Sequence, residues 1–134
     1  GGVFFPDYRL VRDGAYVGAK FLELVADRPV SELVAPYSDY ENVRINLAYD
    51  ADAELDAMLE AARTVAASAD AEPDTTDGYR LDYGDAWVLV RPSGTEPKVR
   101  IYAEARDADR ARTLAEDVAG PLREALEDAR IGRE

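Results

Sequence analysis

Two strand-like runs separated by one short loop constrain this chain more than any other feature. Ala86-Trp87-Val88-Leu89-Val90-Arg91 leads in, and Val99-Arg100-Ile101-Tyr102-Ala103-Glu104-Ala105 leads out. Together they read as a strand–loop–strand hairpin. The connecting decapeptide, Arg91-Pro92-Ser93-Gly94-Thr95-Glu96-Pro97-Lys98-Val99-Arg100, holds three cations against one acid. The whole chain carries 16 basic and 28 acidic residues, net −12, so this loop concentrates positive charge in an acidic protein. Such a loop points to a small anionic ligand, and its hydroxyls point to phosphate.

A buried phosphate dianion needs several charge-assisted donors, and arginine supplies a planar fork for two oxygens. Arg91, at the end of a strand, is held rigidly for that purpose. Ser93 and Thr95 add hydroxyls on short side chains. Gly94 permits a tight or left-handed turn in which successive N–H groups form an anion-binding nest. Pro92 and Pro97 bracket the loop and lower its entropy before binding. Glu96 is expected to point away and hold the loop through a hydrogen bond or an ion pair. Lys98 and Arg100 alternate along the second strand and share a face, where each either touches ligand or is simply solvated. Ser-Gly is equally common turn chemistry, and composition alone leaves a plain hairpin turn open.

The sequence around the loop has a clear order. Asn42-Val43-Arg44-Ile45-Asn46-Leu47 alternates polar and apolar as a half-buried strand does. Asp52 to Ala69 reads as a helix, with Leu55, Met58, Leu59, Ala62, Val65 and Ala66 at three- and four-residue steps. The turn-rich stretch from Glu72 to Gly78 leads into a strand from Tyr79 to Tyr83. A last helix begins near Asp107 and presents Ala111, Leu114, Ala115, Val118, Leu122 and Leu126, with a bend or break expected at Gly120-Pro121. Strand, helix, three strands, helix is the order of an α+β two-layer sandwich. It has a four-stranded, mainly antiparallel sheet with two helices on one face.

The segment before this unit reads as the end of something larger. Val3-Phe4-Phe5 is a short strand, Pro6-Asp7-Tyr8 turns the chain, and Asp13 caps a helix that Pro29 closes. Val30 to Leu33 makes one further helical turn. One strand and one helix cannot bury enough apolar surface to stand alone, so residues 1–36 are expected to dock on other chain. Residues 37–134 form the complete unit, with a hinge near Ala35–Tyr40.

Composition excludes several classes of function. There is no cysteine and no histidine, so thiolate metal sites, disulfides and His-dependent catalysis are absent. No apolar run approaches the ~20 residues of a membrane span, and nothing reads as a signal peptide. Acids spread over every segment repel nucleic acid. With only two lysines, Lys20 and Lys98, the pattern fits a halophilic protein in a high-salt cytoplasm, with an ordinary acidic bacterial protein as the alternative. The Asp50/Asp52/Glu54 cluster reads as acids at a helix start, not as a metal site. Trp87 reads as core rather than as a sugar-stacking platform, and the eight tyrosines read as packing or interdomain residues.

Arg-Pro-Ser-Gly-Thr-Glu-Pro-Lys-Val-Arg at 91–100 resembles the phosphate-binding loop of the α-D-phosphohexomutases. This superfamily comprises phosphoglucomutase, phosphomannomutase and phosphoglucosamine mutase. The segment Gly1-Gly2-Val3-Phe4-Phe5-Pro6-Asp7-Tyr8-Arg9-Leu10-Val11-Arg12-Asp13-Gly14 resembles archaeal members just after their sugar-recognition loop. The resemblance covers the C-terminal third of such an enzyme: the tail of its third domain and its TATA-binding-protein-like fourth domain. It implies that Arg91, Ser93, Gly94 and Thr95, with Lys98 and Arg100 as weaker candidates, grip the phosphate that is not being transferred. The family's reaction moves a phosphoryl group between the 1- and 6-hydroxyls of a hexose through a bisphosphate, with Mg2+ as cofactor. The family's phosphoserine loop and its Asp-Gly-Asp-Gly-Asp magnesium loop have no counterpart here. The resemblance therefore implies a phosphosugar ligand, the N-terminal mutase domains as partners, and no catalysis by this polypeptide alone. It would be a cut-down piece, a gene fragment or one member of a split protein. A stand-alone phosphosugar-binding module, a phosphoglucosamine mutase fragment and an idle structural domain are the alternatives.

Overall fold

The computed structural model describes residues 2–132. The chain divides into two compact units, Gly1–Asp39 and Tyr40–Glu134. Gly1, where the chain opens, lies outside the described residues.

In the first unit, α1 (Gly14–Ala26) starts where Asp13 accepts a hydrogen bond from the Tyr16 amide at 3.0 Å. α2 (Val30–Val34) follows and runs into a single 3-10 turn at Ala35–Tyr37. The strand expected over Val3–Phe5 does not form. The amides of Tyr8 and Arg9 both donate to the Phe5 carbonyl at 2.9 Å, which folds the segment back into one isolated bridge between Phe5 and Arg9. A strand needs a ladder partner to satisfy its backbone, and here a tight turn takes the place of a ladder. Tyr8 stacks on Tyr16 at 3.9 Å, and Phe5 meets Tyr16 edge-on at 5.1 Å. No residue of α1 is buried, and Leu10, Leu22, Leu24 and Val34 are exposed.

The second unit is one antiparallel sheet backed by two helices. Its strands are β1 (Glu41–Ala48), β2 (Pro73–Asp74), β3 (Tyr79–Asp82), β4 (Ala86–Pro92) and β5 (Lys98–Ala105), in the spatial order β1-β5-β4-β3-β2. The fifth strand is the two-residue β2, which pairs Pro73 with Leu81 and Asp74 with Arg80. Proline and turn residues hid it in the sequence, yet an edge position tolerates a residue that cannot donate to a ladder. Alternation along the strands sends Ala86, Val88 and Val90, and Val99, Ile101, Ala103 and Ala105, into the core. There they meet Met58, Ala62 and Ala66 of α3 (Asp52–Ser68) and Leu114, Val118 and Leu122 of α4 (Ala108–Ile131).

α4 runs unbroken through Pro121, so the break expected there does not occur. The ring forfeits one helix hydrogen bond. Buried Val118 and Ala119 before it, and Leu122 and Leu126 after it, keep both halves on the sheet. No helix among the described residues is long and apolar enough to cross a membrane.

Two contacts pin this frame. Gly78 has φ +95°, and a Cβ there would stand 2.1 Å from the Val90 carbonyl oxygen and 2.8 Å from Cβ of Arg91. The backbone of the turn thus lies directly against the end of β4. Glu54, 1% exposed, accepts the Asp50 amide at 2.9 Å, and the Arg130 guanidinium of α4 comes within 3.5 Å of it. Arg130 also donates to the Ala48 carbonyl at 3.4 Å, tying the end of β1 and the start of α3 to the end of α4. Of the three acids at this helix start, Glu54 thus serves as a buried structural acceptor.

Gly78→Ala is expected to destabilise the chain by roughly 2–4 kcal/mol in urea unfolding, because positive-φ strain and a backbone clash add. Glu54→Ala should cost about 2–4 kcal/mol by the same measurement, since it empties a buried side-chain position, frees the Asp50 amide and removes an anionic partner of Arg130.

Candidate functional site

The β4–β5 register sets Arg91 directly opposite Arg100. Like charges at a cross-strand pair repel, so the structure has to neutralise both. It does so with two separate carboxylates. Asp77, in the turn before β3, accepts from Arg91 Nη1 at 2.7 Å. Glu96, in the loop, accepts from Arg100 Nη2 at 2.7 Å and from Lys98 Nζ at 2.9 Å. The expected tethering role of Glu96 takes this form: one side chain spans both cations of β5.

The loop is further closed by its own backbone. The Ser93 amide donates to the Lys98 carbonyl at 2.9 Å, and the Lys98 amide to the Glu96 carbonyl at 2.8 Å. The Tyr49 amide donates to the Pro97 carbonyl at 3.1 Å, anchoring the loop to the end of β1. Ser93 Oγ accepts from Arg100 Nη2 at 2.9 Å and from the Thr95 amide at 3.4 Å. With both acceptor positions taken, the Ser93 hydroxyl keeps its proton for an outside acceptor. The Gly94 amide and the Thr95 hydroxyl have no partner among the described residues.

Gly94 does not adopt the left-handed backbone that the sequence allows. Positive φ occurs only at Gly78 and Gly84 among the described residues. A Cβ at Gly94 would touch nothing within 4 Å, so this glycine contributes bare, open backbone rather than a special conformation. Ser93, Gly94 and Thr95 therefore gather at the loop tip, beside Arg91 and Arg100. Lys98 and Arg100 share a face as the alternation requires, but both are engaged with Glu96.

Residues that sequence reasoning undervalued lie on the same helix-free face of the sheet. Tyr102, directly across from Arg44 on one side and Leu89 on the other, follows Lys98 and Arg100 in the two-residue alternation of β5. The Arg44 guanidinium lies 5.0 Å from the centre of its ring. Burial alone would raise the Tyr102 phenol, but the neighbouring Arg100 and Arg91 guanidiniums, helped by the charge of Arg44, bring it below its ordinary value. Trp87 also belongs to this face rather than to the core. Its neighbours Ala86 and Val88 take the inward positions, and its Nε1 donates to Glu104 at 3.2 Å beneath Arg80. The period-two count from Val88 outward was the available signal for both residues. Elsewhere, no cluster of three or more metal-ligating side chains occurs among the described residues.

Comparison with known proteins gives this arrangement its relatives. The family described as "Phosphoglucomutase/phosphomannomutase, C-terminal domain" matches residues 45–120. A protein named phosphoglucomutase/phosphomannomutase from Thermococcus kodakarensis is 38% identical over 128 residues, covering 94% of this chain and 28% of that protein. One named probable phosphoglucosamine mutase from Methanopyrus kandleri is 36% identical over 127 residues, covering 93% and 28%. A crystal structure of a phosphoglucomutase/phosphomannomutase family protein from Burkholderia thailandensis superposes with a TM-score of 0.66 at 28% identity. It covers 97% of this chain and 27% of that one. The chain thus spans about 28% of the length of the curated relatives it matches. With that match over more than half its length, the chain belongs to the phosphoglucomutase/phosphomannomutase family, as its C-terminal domain.

Proposed function

We propose that this domain holds the phosphate of a phosphosugar, as the substrate-phosphate grip of a hexose-phosphate mutase. The supporting observation is the set of unspent donors at the loop tip: the Ser93 hydroxyl, the Gly94 amide and the Thr95 hydroxyl beside the Arg91 guanidinium. These groups read tetrahedral oxygens and nothing of a sugar ring. In a mutase that moves phosphate between the 1- and 6-positions, the bisphosphate turns over within the site. A grip blind to the sugar accepts either end. Ligand arriving at the loop displaces Asp77 from Arg91 or shares the guanidinium with it. Glu96 keeps Lys98 and Arg100 in place meanwhile.

The whole enzyme's chemistry belongs, on this reading, to domains outside the chain: the phosphoserine, the Mg2+ ion and the sugar-recognition loop. The reading also sets the enzyme in a salt-rich cytoplasm, where screening makes a net charge of −12 tolerable. A phosphoglucosamine mutase stands level with a glucose/mannose enzyme, because relatives carrying the two names are 36% and 38% identical to the chain. Assaying the mutase that contains this domain with glucose, mannose and glucosamine 1-phosphates decides between them.

Titrating the chain with inorganic phosphate, glucose 1-phosphate and glucosamine 1-phosphate should shift the amides of Ser93, Gly94 and Thr95. The three affinities should agree within about threefold, or ~0.7 kcal/mol. Arg91→Ala should abolish the response. Silence in a folded chain, or shifts that survive the substitution, would sink the grip. The loop should also respond to pH in a defined direction. Lys98, and then Arg100, hold the Glu96 carboxyl below its ordinary value. A depressed carboxyl contributes its stabilisation above the ordinary glutamate range and loses it as pH falls through the depressed value. Carboxyl NMR should find the Glu96 midpoint low, and find it raised in Lys98→Met.

A further inference from the structure

The acids that face Arg91 and Arg100 are bound to them in different ways. Glu96 sits inside the loop and uses both carboxylate oxygens, Oε1 on Lys98 and Oε2 on Arg100. Ser93 Oγ holds the Arg100 guanidinium as well. Asp77 comes from another segment, meets Arg91 through the single oxygen Oδ2, and has 71% of its side chain exposed. A pair this exposed contributes little to folding, so its weight falls on the state of Arg91 rather than on the fold.

The backbone that carries Asp77 is nevertheless fixed on both sides. Before it, the Asp74 carboxylate accepts the Thr76 amide at 2.9 Å, and Asp74 pairs with Arg80 across β2–β3. After it, the Gly78 backbone lies so close to β4 that a Cβ there would stand 2.8 Å from Cβ of Arg91. Between these two points the exposed Asp77 side chain turns about its own bonds. A carboxylate tethered in this way faces Arg91 at the high effective concentration of an intramolecular ligand. It is also an oxyanion, as a phosphate at the loop tip is, and two anions on one guanidinium repel each other.

We infer that Asp77 is a resident competitor of the substrate phosphate. It occupies Arg91 in the empty grip, yields it when phosphate enters and takes it back as phosphate leaves. The inference rests on the phosphate-grip reading above and adds the regulation of that grip. Asp77 acts through Arg91, as a positioning residue whose effect is to weaken binding. On the mutase reading, the bisphosphate releases one phosphate from the loop before presenting the other. A guanidinium with no anion of its own opposes each release, whereas the returning carboxylate replaces the contact that is lost.

The test compares the native chain with Asp77→Asn, which keeps the side chain's size and removes its charge. Both are titrated with inorganic phosphate and with glucose 1-phosphate, read on the amides of Ser93, Gly94 and Thr95. Asp77→Asn should bind each ligand about three- to fivefold more tightly, the fold-change of one partly exposed ion pair. Asp77→Glu restores the charge and should return the affinity toward the native value. Asp109→Asn removes the same charge at the start of α4, just beyond the end of β5 opposite the loop, and should leave the affinity unchanged. Equal or weaker binding by Asp77→Asn overturns the inference and leaves the loop reading standing. An equal gain in Asp109→Asn does the same, because net charge alone then accounts for the effect. Silence at the three amides in every variant removes the loop reading itself, and this inference with it.

Discussion

Arg91 and Arg100 face each other across the β4–β5 hairpin, and the loop end of the domain is organised around that repulsion. Two guanidiniums held at a cross-strand pair are unfavourable unless anions stand close to them. Asp77 answers one and Glu96 the other, the first from the turn before β3 and the second from the hairpin's own loop. Both pairs are at least partly exposed, so they contribute little to folding. Their effect is to leave a charged site standing open without collapse. On the proposed reading, an arriving phosphate would meet cations already placed, which lowers the ordering cost of binding.

The same hairpin joins site and core. Every second residue of β4 and β5 is packed under α3 and α4, and the alternate residues make the helix-free face. A one-residue slip would bury Arg91, Arg100 and Tyr102 and expose Val90, Ile101 and Ala103. The hydrophobic core therefore enforces the position of the arginines. Gly78 adds a second lock, since its backbone lies against Val90 and Arg91 where no side chain fits. In the first unit, α1 buries none of its residues, and the ring–ring contacts among the described residues join Phe5, Tyr8 and Tyr16.

Strands and helices of the second unit were legible because each is long enough for its period to be seen. β1, α3, β4, β5 and α4 lie where alternation and three-to-four spacing place them. β2 was not legible, because two residues show no period and its proline argues for a turn. The strand expected at Val3–Phe5 failed for the converse reason: apolar residues suggest a strand, but only a partner makes one. At Pro121 local propensity argued for interruption, and the packing of Leu122 and Leu126 overrode it.

By itself the sequence determined the hairpin, the two-layer α+β architecture and the concentration of cations and hydroxyls in one loop. These depend on local periodicity and on residues adjacent in the chain. Only the tertiary structure decided which acid neutralises which cation, that Gly94 serves by being bare rather than left-handed, and that Arg44 and Tyr102 join the charged face. Asp77 lies fourteen residues from Arg91, and Arg44 lies much further from Tyr102, so sheet pairing alone brings them together. Contacts between distant segments are set by register and strand order, which a linear pattern does not encode.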